Sequence, residues 1–267
     1  MRRLLVSLAV AGGLSLGAAS PAGAIVYGEP DGNRHPNVGS IVVDWRGRGL
    51  EQFCSGTLIA PTVFLTASHC TSFLESVGIT RVFVTFDPEL GGATLLPGTV
   101  HTNPNYNDFS GPGGSADPGD VAVVVLDDQV AIAPARLPDR GLLSRMKAAH
   151  QLRPQRFTAV GYGTVRETRR GGFDSILGNT ERRVAVQGFL ALRPAWLTLS
   201  MNEATGDGGT CYGDSGGPHF LGAGAGETDV VVSITVTGDA VCKATDLTYR
   251  LDTPSARAFL GGFVELP

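Results

Sequence analysis

Gly213-Asp214-Ser215-Gly216-Gly217-Pro218 is the most informative stretch of this chain. A serine hydroxyl is a weak nucleophile. To attack a carbonyl it needs a base that takes its proton and backbone N–H donors that receive the oxyanion. Glycines on both sides of Ser215 let the chain turn tightly and let a substrate approach the main chain. A plain glycine-rich turn would explain the same residues, so the rest of the chain must supply the base and the acid.

Chain order separates two acyl-transfer architectures. A nucleophile elbow on an α/β-hydrolase sheet places its acid and histidine after the serine. Here the only histidine beyond Ser215 is His219, and the required alternation of strand and helix is missing. His69 stands instead in Leu65-Thr66-Ala67-Ser68-His69-Cys70, at the end of an apolar strand and beside a cysteine that can pin it. A general base must be held in one orientation, which such a post provides. His35, His101, His150 and His219 read as ordinary core or surface histidines. Asp120 opens the apolar run Val121–Leu126, where a carboxylate can accept an imidazole N–H and stabilise the imidazolium. Asp108, Asp117, Asp127 and Asp128 are its rivals, and context favours Asp120.

Outward from these segments the chain is punctuated by 37 Gly and 16 Pro. Between them lie short runs rich in Val, Ile, Thr and Leu. Ser40–Asp44, Gly56–Ile59, Val63–Thr66, Arg81–Phe86 and Val121–Leu126 form one set. Thr158–Val160, Arg183–Val186, Leu197–Ser200, Val230–Val236 and Leu247–Leu251 form another. Many short strands joined by turns predict an all-β fold of barrels or sandwiches. The Pro-rich stretch from Ala131 to Pro154 reads as a connection, with a boundary near residue 140. Asn103–Asp120 reads as a surface loop. One short C-terminal helix is predicted, capped by Thr253, opened by Pro254 and stopped by Gly261-Gly262.

Arg2-Arg3, the apolar run Leu4–Leu16 and the small residues Ala22-Gly23-Ala24 have the layout of a secretory signal peptide over residues 1–24. That run is shorter than the about 20 residues a membrane-spanning helix needs. Cleavage after Ala24 predicts a secreted, extracellular protein with no membrane association. Cys54, Cys70, Cys211 and Cys242 are an even set in an exported chain and read as two disulfides. Three pairings are open to sequence, and 54–70 with 211–242 closes the two short loops. With 267 residues, 42% of them hydrophobic, the chain can bury a substantial core. A net charge of −4 with scattered basic residues offers no face for a phosphate backbone, so nucleic acid is not an expected partner. No Cys/His spacing suits zinc, and no metal or organic cofactor is expected.

Together, Thr66–Cys70, Asp120–Leu126 and Gly213–Pro218 resemble the trypsin and chymotrypsin family of serine proteases, of the secreted bacterial type. The resemblance implies two six-stranded antiparallel β-barrels with a short C-terminal helix, residues 25–140 and 141–267 forming one peptidase domain. It implies a triad of His69, Asp120 and Ser215, and an oxyanion hole from the backbone N–H groups of Gly213 and Ser215. A new terminus at Ile25 would pair with Asp214, although Tyr27 departs from the family's glycine. The two short-loop disulfides are pairs the family commonly makes. In the specificity pocket, Gly209 would form the base, where Lys/Arg-preferring relatives carry Asp. Ser233-Ile234-Thr235 would form the wall, with Thr235 and Leu247 narrowing it towards small or medium apolar side chains. Asp246 or Asp239 could restore a basic preference. The expected activity is that of a serine endopeptidase. The expected partners are protein or peptide substrates and protein protease inhibitors, and the expected state is a monomer. A noncatalytic binding homologue on the same fold is the alternative, and a small-ester hydrolase is a third.

Overall fold

The computed structural model describes residues 25–267 except Arg46, Arg48, 108–116 and 167–170. The signal-peptide expectation, and the half of the Asn103–Asp120 loop over 108–116, lie outside the described residues.

Strand β1 (Glu29–Pro30) leads into a first closed barrel of β2 (Val38–Asp44), β3 (Leu50–Ala60), β4 (Val63–Thr66), β5 (Arg81–Thr85), β6 (Leu96–Thr102) and β7 (Ala122–Leu126), paired in the order β2-β3-β4-β7-β6-β5. Helix α1 (Ser68–Ser76) follows β4 directly. Helix α2 (Leu142–Ala148) lies between the barrels. The second half comprises β8 (Arg156–Gly161), the small hairpin β9 (Val165–Arg166) and β10 (Ile176–Leu177), β11 (Arg183–Leu192), β12 (Trp196–Ser200), β13 (Pro218–Leu221), β14 (Val231–Gly238), β15 (Thr245–Arg250) and helix α3 (Pro254–Leu260). The order β11-β12-β15-β14-β13-β8 closes through pairing of β8 with β11, and β1 adds to β11. Two six-stranded antiparallel barrels result, as expected.

The strands sit in nearly continuous buried runs. Val38, Ile41, Leu58, Phe64, Leu65, Val84, Val123 and Val124 are buried in the strands of the first barrel, some facing its interior and others packed against the outside. Phe157, Leu197, Leu199 and Val232 form part of the second. Branched side chains suit such half-pleated surfaces, and closing each sheet on itself removes its exposed edges. The disulfides are Cys54–Cys70 and Cys211–Cys242. The first ties β3 to α1, and the second ties the turn before Ser215 to the turn between β14 and β15.

A buried ionic network locks the segment before β2 onto both barrels. The Arg182 guanidinium donates to Asp31 Oδ2 at 2.8 Å, and to the carbonyls of Val38 and Phe86. His35 bonds Asp31 through Nδ1 and Glu227 Oε1 through Nε2, the latter at 2.6 Å. Burial draws the His35 imidazole downward, but its bonds to Asp31 and Glu227 outweigh this and hold it at about 9. Because the folded value lies above the ordinary 6.5, this contribution to stability is complete below pH 6.5 and is lost as pH rises through 9. Thermal unfolding followed from pH 6 to 10 should lose on the order of 5 °C in Tm over this limb. The His35→Gln variant should be less stable at pH 6 and show a flattened limb. An unchanged limb in that variant would contradict the assignment.

Candidate active site

His69 is presented by the first turn of α1, immediately beyond β4, so the rigid post expected at a strand end includes a helix start. The N-cap of α1 is Ala67, whose side chain cannot cap. The unpaired first-turn N–H groups of a helix need acceptors. Asp120 Oδ1 takes the His69 backbone N–H at 2.9 Å, and Oδ2 takes His69 Nδ1 at 2.9 Å. One fully buried carboxylate thus fixes both the helix start and the imidazole. With Nδ1 facing Asp120, Nε2 is the nitrogen left for a substrate or a nucleophile, and the His69 side chain remains 28% exposed. Ser68 Oγ donates to Val121 O at 2.7 Å, and Asn103 Nδ2 to Gly119 O at 2.9 Å, so both sides of Asp120 are held.

Ser215 comes from the second barrel, in the turn before β13. Its carbonyl accepts the Ser55 N–H at 2.9 Å. Gly216, at φ +79°, lies so close to β4 that a Cβ there would stand 2.2 Å from Thr66 Oγ1 and 2.8 Å from Ala67 N. Only glycine allows this approach, which brings Ser215 against the strand end that carries His69. Gly213 adopts φ +94°. Asp214 is fully buried, with Oδ1 accepting the Gly163 N–H at 2.7 Å and Oδ2 the Cys211 N–H at 2.9 Å. Burial pushes its carboxyl up to about 7 against those two bonds, and Asp246 adds repulsion. Ile25 and Val26 are also fully buried, with Val26 O accepting the Gly209 N–H at 2.8 Å.

A cavity of about 230 Å³ opens beside Ser215, walled by Thr210–Tyr212 on one side and Thr235–Ala240 on the other. Thr235 lines it, whereas Gly209 and Ser233 do not. A Cβ on Gly209 would meet Met201 at 2.3 Å, so its Cα faces packed core. Ser233 lies opposite His219 in the β13–β14 ladder, with its Oγ accepting from Thr248 Oγ1 at 2.8 Å. Thr235, not Ser233, exchanges backbone bonds with the turn after the serine, through Gly216 N–H to Thr235 O and Thr235 N–H to Gly217 O. The wall therefore runs on through Val236, Thr237 and Gly238. Bulges at His219/Phe220 and Thr235/Thr237 shift a register that counting along the chain cannot supply. Leu247 pairs with Thr237 behind this wall.

Asp239 borders the cavity, but its carboxylate accepts the backbone N–H groups of Lys243, Ala244 and Thr245. Asp246 lies behind it, opposite Gly238, and its Oδ2 bonds His219 Nε2 at 3.0 Å and Gln187 Nε2 at 2.9 Å. Asp246 Oδ1, Gln187 Oε1, His219 Nδ1 and Thr235 Oγ1 are buried polar atoms without a hydrogen-bond partner among the described residues. Cys54, His69 and Cys70 bring potential metal-binding atoms within 4.8 Å, but both sulfurs are consumed in the disulfide.

Two β-barrels with a histidine–carboxylate pair on one and a glycine-flanked serine on the other define the chymotrypsin-like class of proteins. The Trypsin family model matches residues 29–258, and the chain belongs to that family of serine proteases. A solved structure of HL collagenase is similar in fold, with a TM-score of 0.62 at 14% identity, covering 88% of this chain and 96% of that one.

Proposed function

We propose that this chain is an active serine endopeptidase in which His69, Asp120 and Ser215 act as one triad. The observation that carries this reading is the pair of hydrogen bonds from the His69 backbone N–H and Nδ1 to the buried Asp120, which leaves Nε2 as the basic nitrogen. In the reaction, His69 Nε2 takes the Ser215 hydroxyl proton as Oγ attacks the scissile carbonyl. The oxyanion is received by the N–H groups of Gly213 and Ser215. His69 then gives the proton to the departing amine, leaving an acyl-enzyme. Water, deprotonated by His69, releases the new carboxyl terminus and restores Ser215. No cofactor enters these steps.

The mostly uncharged walls Thr210, Thr235, Val236 and Thr237 favour a small or medium apolar side chain before the scissile bond. The unpartnered Asp246 Oδ1 behind those walls supports a second reading, in which a Lys or Arg side chain reaches the floor. The same proposal places the enzyme outside the cell after removal of residues 1–24, in the manner of secreted bacterial proteases. It would act there as a monomer on proteins or peptides and be open to protein inhibitors.

A fluorophosphonate probe applied to protein beginning at Ile25 should label Ser215 in the wild type and lose that labelling in a His69→Ala variant. A peptide library then separates the pocket readings. Cleavage after Ala, Val or Leu indifferent to Asp246→Asn supports the first, and cleavage after Lys or Arg abolished by it supports the second. Folded protein that neither labels nor cleaves would leave the noncatalytic binding homologue.

A further inference from the structure

Gly213 stands where a backbone N–H must be aimed, yet glycine is the residue whose backbone is least restrained on its own. The peptide plane that carries its N–H also carries the Tyr212 carbonyl, which accepts the Thr164 N–H at 2.7 Å. The plane on the other side carries the Gly213 carbonyl, and two side chains of the first barrel converge on it. Gln52 Nε2 donates at 2.9 Å and Ser55 Oγ at 3.0 Å. Both residues belong to β3. Ser55 is further fixed because its Oγ accepts the Tyr162 N–H at 3.1 Å and its own N–H is bonded to Ser215 O. A carbonyl oxygen has two lone pairs, so this one is saturated by donors from across the cleft between the barrels.

We infer that Gln52 and Ser55 are positioning residues, which clamp the Gly213 carbonyl and so hold the Gly213 N–H in the direction an oxyanion requires. This rests on the endopeptidase reading of Ser215. Neither side chain is a reacting group, and their effect passes across the Gly213 Cα from the clamped peptide plane to the adjoining plane, which carries the N–H and is itself held by the Thr164 bond to Tyr212 O. Electrostatic stabilisation by fixed donors depends on their being aimed before charge develops. A loosened clamp therefore raises the barrier while leaving substrate binding in the pocket intact. Gln52 is the more informative of the two, because Ser55 also packs against the turn: a Cβ on Gly217 would meet its Cβ at 3.3 Å.

The test uses the mature protein, three Gln52 variants, Ser55→Ala and the double change Gln52→Leu/Ser55→Ala. Gln52→Leu removes the donor, Gln52→Glu keeps the shape but presents oxygen in its place, and Gln52→His retains an N–H donor. Steady-state kcat and KM are measured on a peptide amide. Affinities are measured for a peptide aldehyde, which forms a tetrahedral adduct on serine, and for the corresponding peptide acid, which does not. We expect Gln52→Leu and Gln52→Glu to lose about 10-fold in kcat and in aldehyde affinity, with KM and acid affinity within about twofold. Gln52→His should recover part of the loss, and Gln52→Leu/Ser55→Ala should lose more than either single change. A Gln52→Leu or Gln52→Glu variant that unfolds near the wild-type Tm yet keeps full kcat would overturn the inference. So would one whose KM rises at constant kcat. An inactive wild type that does not label at Ser215 would instead bring down the endopeptidase reading, and the clamp with it.

Discussion

Ser215→Ala should cut peptide-bond turnover about 10⁶-fold while leaving the fold and thermal unfolding close to those of the wild type. The hydroxyl is the only group removed, and the backbone bond from Ser55 N–H to Ser215 O, which holds the turn, is untouched. Loss on this scale follows because nucleophile, base and acid act as a unit, so removing one forfeits nearly the whole contribution of the three. Residual hydrolysis would come from the backbone donors and the pocket. The companion change Asp120→Asn should cost about 10⁴-fold. It presents an amide where His69 Nδ1–H needs an acceptor, and it disturbs the acceptor of the His69 backbone N–H as well. Measured kcat/KM for both variants, with unfolding curves, checks this. Substantial turnover by folded Ser215→Ala protein would show that another residue attacks.

How far such a site can be read without coordinates depends on whether its signals are local. Val63–Thr66 matches β4, and the Thr253 cap does accept the Ala256 N–H at 3.2 Å, because hydrophobic runs and capping chemistry are written into neighbouring residues. Helix α2 falls in a stretch that reads as a plain connection. It starts at a left-handed Gly141 without a side-chain cap of its own, and Asp252, 109 positions away, accepts the Leu143 N–H. Helix α1 is hidden in the same way, its first turn being closed by Asp120. Strand β6 opens with Leu-Pro-Gly and β13 with Pro, residues that read as turns until the barrel pairs them. Among the site residues, His69, Asp120 and Ser215 each sit in an informative local segment. Gln52 and Ser55 do not, since each is an ordinary polar residue within a strand and acquires its role only when the barrels meet. The course of the cavity wall is illegible for a related reason, because register across two bulges is a property of the pairing.

Protein that begins at Ile25 should be about 10²- to 10³-fold more active than protein retaining even Ala24, and Asp214→Asn should abolish the difference. The buried Asp214 has two backbone N–H donors and the repulsion of Asp246, but its first influence is burial, which holds the carboxyl at about 7. A buried carboxylate in that condition calls for a cation. Ile25 and Val26 are already packed inside, alongside Gly209 in the turn that leads to Ser215. With the preceding residue attached, Ile25 sits at φ +46°, a conformation a β-branched residue adopts only under strain. Cleavage removes the peptide bond that defines this angle and leaves an ammonium next to buried surface, so strain and missing charge are relieved together. The pH dependence follows in sign. In the extended protein the folded carboxyl lies above its ordinary 3.8, so the native state holds more protons than the unfolded one. Stability should therefore fall as pH rises from about 4 to 7. In protein starting at Ile25 the new ammonium should lower the Asp214 value and remove that decline. Activity should then fail on the alkaline side, as the amine loses its proton and Asp214 releases the turn that aims the Gly213 N–H. Equal activity and matching pH–stability curves for the two forms would mean that Asp214 is satisfied by its backbone donors alone and that cleavage at Ile25 does not assemble the site.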